Sequence, residues 1–439
     1  MSDVSNSHSM NANNPSNAVV PPAPPAKPGL MEYGFWCFLL LAIGRVGELI
    51  PGLSGLPLAK IVIAFGILGL VTSWNRLPGL APGAAPVAKC AIWLTVLSVI
   101  LTPLSIWRGA SREFMLQIFP TLAATTVIGY MMCRSWRCLR TTLLVLVVAA
   151  LLLAYVALAT YHGDRAATAT MYDTNDLAYV LVTAFPITIG FALNAQTKFK
   201  KLLYFAIAGT LVSCILLTQS RGGFMGLVAA AILLLLLPLQ PPQASGAATV
   251  KRKRRLPMLI FGVCIAGLVW TQLPEATRSR LATVLDLGHD YNLDPTNDRS
   301  RGQIWSRGIR AAIARPVGYG PYAYGMVDLR FGGRMQAPHN SFLQTLVELG
   351  VAGLILFLRM YWLTWRNLGR LRQQQLLQRV LPPQRREQIV FARVMQCSLV
   401  GNAVAGSFLS MAWATVLWLL FALSMALVAL VERESREAA

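Results

Sequence analysis

The chain has 439 residues, 55% of them hydrophobic and 13% charged, and carries 39 Lys and Arg against 18 Asp and Glu for a formal net charge of +21. With a mean hydropathy of +0.54, an ordinary soluble domain is excluded. The charge does not indicate a nucleic-acid partner either: no binding-domain motif is present, and the topology below splits the cations between two faces of a membrane.

Residues 1–28, rich in Asn, Ser, Ala and Pro, read as a disordered tail with no cleavable leader. Twelve apolar runs of bilayer-spanning length follow, at about 33–50, 57–74, 87–107, 114–132, 140–160, 174–194, 202–219, 222–240, 256–272, 340–365, 393–412 and 414–432. The expected fold is thus an all-α polytopic membrane protein: helices over 29–272, one long loop over 273–339 that contains short helices, further spans over 340–432 and a short tail at 433–439. Arg45 and Glu48 lie inside the first run, three apart, a spacing that lets them pair on one helix face. The short connections with Arg134, Arg137 and Arg140, with Lys198, Lys200 and Lys201, with Lys251 to Arg255, and with the arginines between Arg366 and Arg386 share one side. The positive-inside rule makes that side cytoplasmic, together with both termini. None of the seven cysteines lies in the long loop, so no disulfide framework is expected. There is no CxxC, HExxH or P-loop glycine motif, so no metal, cofactor or ATP-driven activity is expected. No internal repeat stands out.

The long loop carries Arg278, Arg280, Arg299, Arg301, Arg307, Arg310, Arg315, Arg330 and Arg334 and no lysine. Guanidinium matches phosphate oxygens two at a time, which an ammonium cannot do. Asn297 to Pro316 reads as an amphipathic helix along the membrane surface, capped by Asn297 or Asp298. Arg299, Gln303, Arg307 and Arg310 share one face; Trp305, Ile309, Ala312 and Ile313 form another, with Arg301 on the Trp305 side and so directed toward the protein. Pro316-Val317-Gly318-Tyr319-Gly320-Pro321 reads as a tight turn whose exposed N–H groups can also shape an anion pocket. His339 stands just before a spanning helix, where Ser341 and Gln344 have capping-box spacing. A histidine beside a helix N-terminus and an arginine cluster suits proton transfer next to a bound phosphate. His289, between Asp286 and Asp290, matches no metal signature. Arg221, in Thr218-Gln219-Ser220-Arg221-Gly222-Gly223, joins two spans through a very short connection and needs a partner, for which a phosphate is suited. Asn175-Asp176 opens the sixth span and reads as a helix cap.

Taken together, the Ser-Arg-Gly-Gly at 220–223, the long loop with Arg301 and Trp305, the Pro-x-Gly-x-Gly turn and the terminal His339-Asn340 resemble the O-antigen ligase and polymerase superfamily. Length and the single large loop are most similar to the O-antigen ligase. The resemblance implies a fold related to the C-type membrane glycosyltransferases, in the Gram-negative inner membrane with a periplasmic site. It implies transfer of polysaccharide from undecaprenyl pyrophosphate to a sugar of lipid A-core, without metal or ATP. Carried onto this chain, it makes His339 the general base and Arg221 and Arg301 the pyrophosphate ligands, with Arg299, Arg307, Trp305 and Asn340 as further contacts. An O-antigen polymerase and a protein O-oligosaccharyltransferase need the same phosphate site. A secondary transporter of an anionic solute suits twelve spans, but would place more charged or helix-breaking residues deep in paired spans.

Overall fold

The computed structural model describes residues 28–48, 58–73, 75, 78–163, 165–168, 172–238, 271, 274–282, 297–375 and 382–437. The protein is an all-α polytopic membrane protein. In chain order the helices are α1 (Leu30–Ala42), α2 (Leu58–Thr72), α3 (Ala85–Leu101), α4 (Arg108–Arg134), α5 (Trp136–Ala159), α6 (Thr174–Leu193), α7 (Lys198–Leu217), α8 (Arg221–Leu236), α9 (Glu275–Ala282), α10 (Arg301–Ala314), α11 (Tyr324–Arg330), α12 (Ser341–Gln375), α13 (Pro383–Gly406) and α14 (Thr415–Glu437). Among the described residues seven of these are long and apolar enough to cross a membrane, and α1, α2, α3 and α8 are shorter apolar helices. The predicted span at 256–272 falls almost wholly outside the described residues, as do Lys251 to Arg255, Asp286, His289 and Asp290.

Short polar side chains set the helix starts. Ser135, Asp173, Thr197, Ser220 and Ser300 each accept a hydrogen bond from a backbone N–H of the first turn that follows. Two expectations change here. The cap of α6 is Asp173, whose carboxylate receives the N–H groups of Asn175 and Asp176; the expected pair are the capped residues. The cap of α10 is Ser300, not Asn297 or Asp298, because Asn297 is used one turn earlier to hold the N–H of Arg299.

Helices α6, α13 and α14 form the centre, with α8 packed on α13, α4 on α14 and α3 on α12. Gly226 of α8 lies against the Gly401 carbonyl of α13, a backbone approach that only small residues permit. Large apolar side chains such as Phe199, Leu202, Trp93 and Ile355 stay exposed on the outside of the bundle, where lipid replaces protein. The first predicted span is shorter than its apolar run. Helix α1 ends at Ala42, Arg45 turns left-handed at φ 49°, and its guanidinium lies 4.8 Å from the Tyr172 ring centroid. The expected Arg45–Glu48 spacing on one helix face is therefore not realised.

Ion pairs tie the end of the bundle that carries the short basic connections: Arg134 with Glu32, Arg140 with Glu387 and Arg385 with Glu434. The long loop lies at the other end, where α13 finishes and α14 begins. Its helices α10 and α11 close on the start of α12 around a second core of Ile304, Ala311, Tyr319, Tyr324, Val327 and Leu343.

Helix α12 is broken at Gly350, which sits at φ 70°. The break frees carbonyls that a continuous helix would use, and the Pro316–Pro321 turn takes them. Tyr319 N–H donates to the Val347 carbonyl at 3.0 Å, Gly320 N–H to the Glu348 carbonyl at 2.9 Å, and Val351 N–H to the Pro316 carbonyl at 2.9 Å. Gly318 and Gly320 are both left-handed, at φ 94° and 107°, and the backbone passes too close for a Cβ at either. These N–H groups are spent on backbone, so the turn is a structural junction and not an anion pocket. The buried Glu348 side chain completes it by accepting from the Trp413 indole at 3.0 Å and the Gln344 amide at 3.2 Å.

Candidate functional site

The residues with candidate chemistry meet at the long-loop end of the bundle, around the connection between α13 and α14. Trp305 on α10 donates its indole N–H to the Pro338 carbonyl at 2.8 Å. The next residue, His339, donates its backbone N–H to Ser410 Oγ of that connection at 2.9 Å. Asn340 then caps α12, its Oδ1 accepting from the N–H groups of Phe342 and Leu343 at 3.0 Å each. The expected Ser341–Gln344 capping box is absent. Ser341 Oγ instead donates to the Leu409 carbonyl and receives Met411 N–H, while Gln344 turns to Glu348. Four groups thus hold His339 from both sides in a left-handed conformation, φ 47°, that a non-glycine residue adopts only when its surroundings enforce it.

Strain of this kind gathers here. Five described non-glycine residues have positive φ, and Arg45, Gln219 and His339 are three of them. Arg45 belongs to the cluster through Tyr172 and through its field at Asp176 in the first turn of α6. Gln219 lies one residue before the Ser220 cap of α8 and donates its amide to Thr277 Oγ1 of α9 at 3.2 Å.

Arg221 is the first residue of α8. The adjoining Gly222 packs against Phe408 of the α13–α14 connection, and Phe408 faces Trp305 with ring centroids 6.5 Å apart. The starts of α8, α10 and α12 therefore converge on one short connection, bringing Arg221, Trp305 and His339 to the same end of the molecule. Gly223 lies against Ala178, which fixes α8 beside the Asp173 end of α6. Arg165 donates to the Thr218 carbonyl at 3.0 Å and closes the cluster from a further side.

Arg301 is half-buried at the start of α10, and its charge acts on His339. The imidazole is held below its ordinary range near 6.5, first by burial and second by Arg301; Asp173 opposes both. His339 is accordingly held in its neutral form at pH 7, the form that can accept a proton.

The other named arginines differ. Arg299 is exposed ahead of α10. Arg307, expected on a solvated face as a further phosphate contact, is buried: its Nε is 2.7 Å from Asp328 Oδ1 and its Nη2 reaches the Asp298 carbonyl at 3.1 Å. Asp328 also receives the N–H groups of Arg334 and Gln336. Arg307 serves the interior of the loop, because a buried guanidinium already matched to a carboxylate has no fork left for a phosphate. The reason lies in the helical wheel: α10 packs through Ile304, Arg307, Gly308, Ala311 and Ala312, with Trp305 at the edge of that face, while Ile309 and Ile313 stay exposed.

Sequence reasoning missed Ser410, Phe408, Asp173 and the role of Arg45. Asp173 had a signal, an acid three residues before another at the start of an apolar run. Ser410 and Phe408 had none, since they act through a connection that only the fold brings to His339.

Residues 203–358 match the family model described as O-antigen ligase. The match covers 156 of the 439 residues and supports a place for that segment in the O-antigen ligase/polymerase superfamily. Arg221, Arg301, Trp305 and His339 all fall inside the O-antigen ligase segment, whereas Arg45, Asp173, Phe408 and Ser410 come from outside it. No curated protein matches the chain.

Proposed function

We propose that the protein is an O-antigen ligase, a glycosyltransferase that moves O-antigen polysaccharide from undecaprenyl pyrophosphate onto a sugar hydroxyl of lipid A-core. The observation that carries the reading is the neutral, rigidly held His339 beside Arg301, within a segment of the O-antigen ligase family. The acceptor oxygen attacks the anomeric carbon as the bond to the pyrophosphate oxygen breaks, which inverts that carbon. The acceptor proton passes to His339, and the pyrophosphate leaves with the bonding electron pair on the prenyl carrier. Arg221 and Arg301 bind the pyrophosphate and take up the charge that grows on it, in place of a divalent cation. The reading puts the site on the periplasmic side of a Gram-negative inner membrane, with both termini cytoplasmic, and relates the fold to the C-type glycosyltransferases.

The test uses purified protein, an undecaprenyl-pyrophosphate-linked glycan and lipid A-core, with no metal or ATP supplied. Transfer to lipid A-core that is lost in His339→Ala, while donor binding persists, is the expected result. Elongation of the lipid-linked glycan would instead make the protein a polymerase. Transfer that survives His339→Ala removes the histidine from the chemistry. Arg221→Lys keeps the charge but loses the planar fork, and is expected to lose most activity.

A further inference from the structure

The outward face of α10 takes no part in the proposed site, yet it is strongly apolar. Ile309 and Ile313, one turn apart, are 51% and 74% exposed, and Val317 in the following turn is 65% exposed. The opposite face, Ile304, Gly308 and Ala311, is the one packed on α11 and α12.

The depth of this face follows from its hydrogen bonds. Pro316 is joined to Val351, ten residues into α12 from Ser341. At 1.5 Å per residue that is about 15 Å below the start of the helix. The start of α10, by contrast, lies beside His339. The chain therefore descends along α12 and turns back at Pro316–Pro321 toward α11. Over that depth α12 shows almost nothing to its surroundings, for every residue from Ser341 to Gly350 is buried or half-buried. From Val351 onward its outer stripe opens, with Val351, Ile355, Leu358 and Trp362 exposed. The two apolar stripes meet at the Pro316–Val351 hydrogen bond, and the exposed Arg310 flanks the upper one.

We propose that α10 and the turn after it form a re-entrant segment set into the bilayer, with Ile309, Ile313 and Val317 against lipid acyl chains. The stripe continues the lipid-facing surface of α12 over the depth at which α12 is covered. The turn is compatible with hydrocarbon because its backbone groups are bonded to the α12 break. Arg310 is placed for headgroup phosphates, as on interfacial helices. The inference stands apart from the glycosyl-transfer reading.

The experiment attaches a nitroxide at Ile309→Cys, Ile313→Cys or Val317→Cys in the full chain, with the native cysteines replaced. The protein is reconstituted in vesicles of phosphatidylethanolamine and phosphatidylglycerol, and collisions with oxygen and with a water-soluble nickel chelate are compared. Reference labels sit at Ile355→Cys, on the lipid-facing stripe, and at Gln196→Cys, in an exposed short connection. Oxygen collisions exceeding nickel collisions by the same several-fold ratio as at Ile355 are expected at all three positions. Nickel-dominated collisions matching Gln196 would overturn the proposal. All three side chains are exposed, so labelling removes no core packing, and a label that fails at one position leaves two that decide.

Discussion

The chemistry proposed at His339 rests on two separable things, a lowered proton affinity and an enforced backbone. The first gives a pH prediction. Burial and Arg301 both disfavour the imidazolium, so activity governed by the neutral base rises with pH along a limb displaced to the acid side of the ordinary histidine value. Removing the cation in Arg301→Gln leaves burial in place but moves the limb of the kcat/KM profile toward higher pH. The profile against donor concentration checks this, because it reports the group in the free protein. An unmoved limb would show that Arg301 does not act on His339. The second is probed by Trp305→Phe, which keeps the ring against Phe408 but loses the bond to the Pro338 carbonyl. The expected loss is about tenfold in kcat with little change in donor KM, as for a displaced catalytic group. Arg307 belongs to a different class. Asp328→Asn or Arg307→Met leaves half of a buried ion pair unmatched, a loss of about 3–5 kcal/mol. It is expected to appear as a lower melting temperature and a smaller folded yield, and not as weakened donor binding by the folded fraction.

At the scale of elements, the break in α12 is the feature with the most partners. Gly350 sits at φ 70° with the Pro316 carbonyl against the place a Cβ would occupy. Gly350→Ala combines left-handed strain of about 1–3 kcal/mol with that collision. Its melting temperature is expected to fall well below that of Asn340→Ala, which loses one helix cap, about 1 kcal/mol. The comparison separates the junction from the cap although both lie on α12. Equal losses would mean that the Pro316–Pro321 turn contributes nothing to holding the break.

For the molecule as a whole, most of the helical layout was legible because apolar runs longer than about 17 residues have few alternatives to a membrane helix. The exceptions have local causes. The run over 33–50 was cut at Ala42 by the left-handed Arg45, and the face of α10 was assigned from apolar periodicity alone. Periodicity placed Arg307 on a polar face with Arg299, Gln303 and Arg310, because it cannot see that Asp328 lies opposite. At the proposed site, His339, Arg301 and Arg221 were legible from residue type and position. Ser410, Phe408 and Arg45 were not, since their roles arise from contacts between segments far apart in the chain. Acceptor choice is likewise a property of the whole surface around the site. Offering lipid A-core and lipid-linked glycan together is expected to give product on lipid A-core alone.

The stitching of the Pro316–Pro321 turn to the α12 break bears on how a bulky substrate reaches His339. A flap that swings open must part from what lies beneath it. Here three backbone hydrogen bonds, the Arg315 bond to the Leu104 carbonyl and the Ser111 bond to the Pro321 carbonyl fasten the loop to α12, to the turn after α3 and to α4. Lifting it would strip those groups of partners where little water is at hand to replace them. The Pro316–Pro321 turn is accordingly a wall and not a door. If the proposed glycosyl transfer holds, its prenyl-linked donor has to enter sideways from the bilayer, past a turn that stays fastened from one turnover to the next.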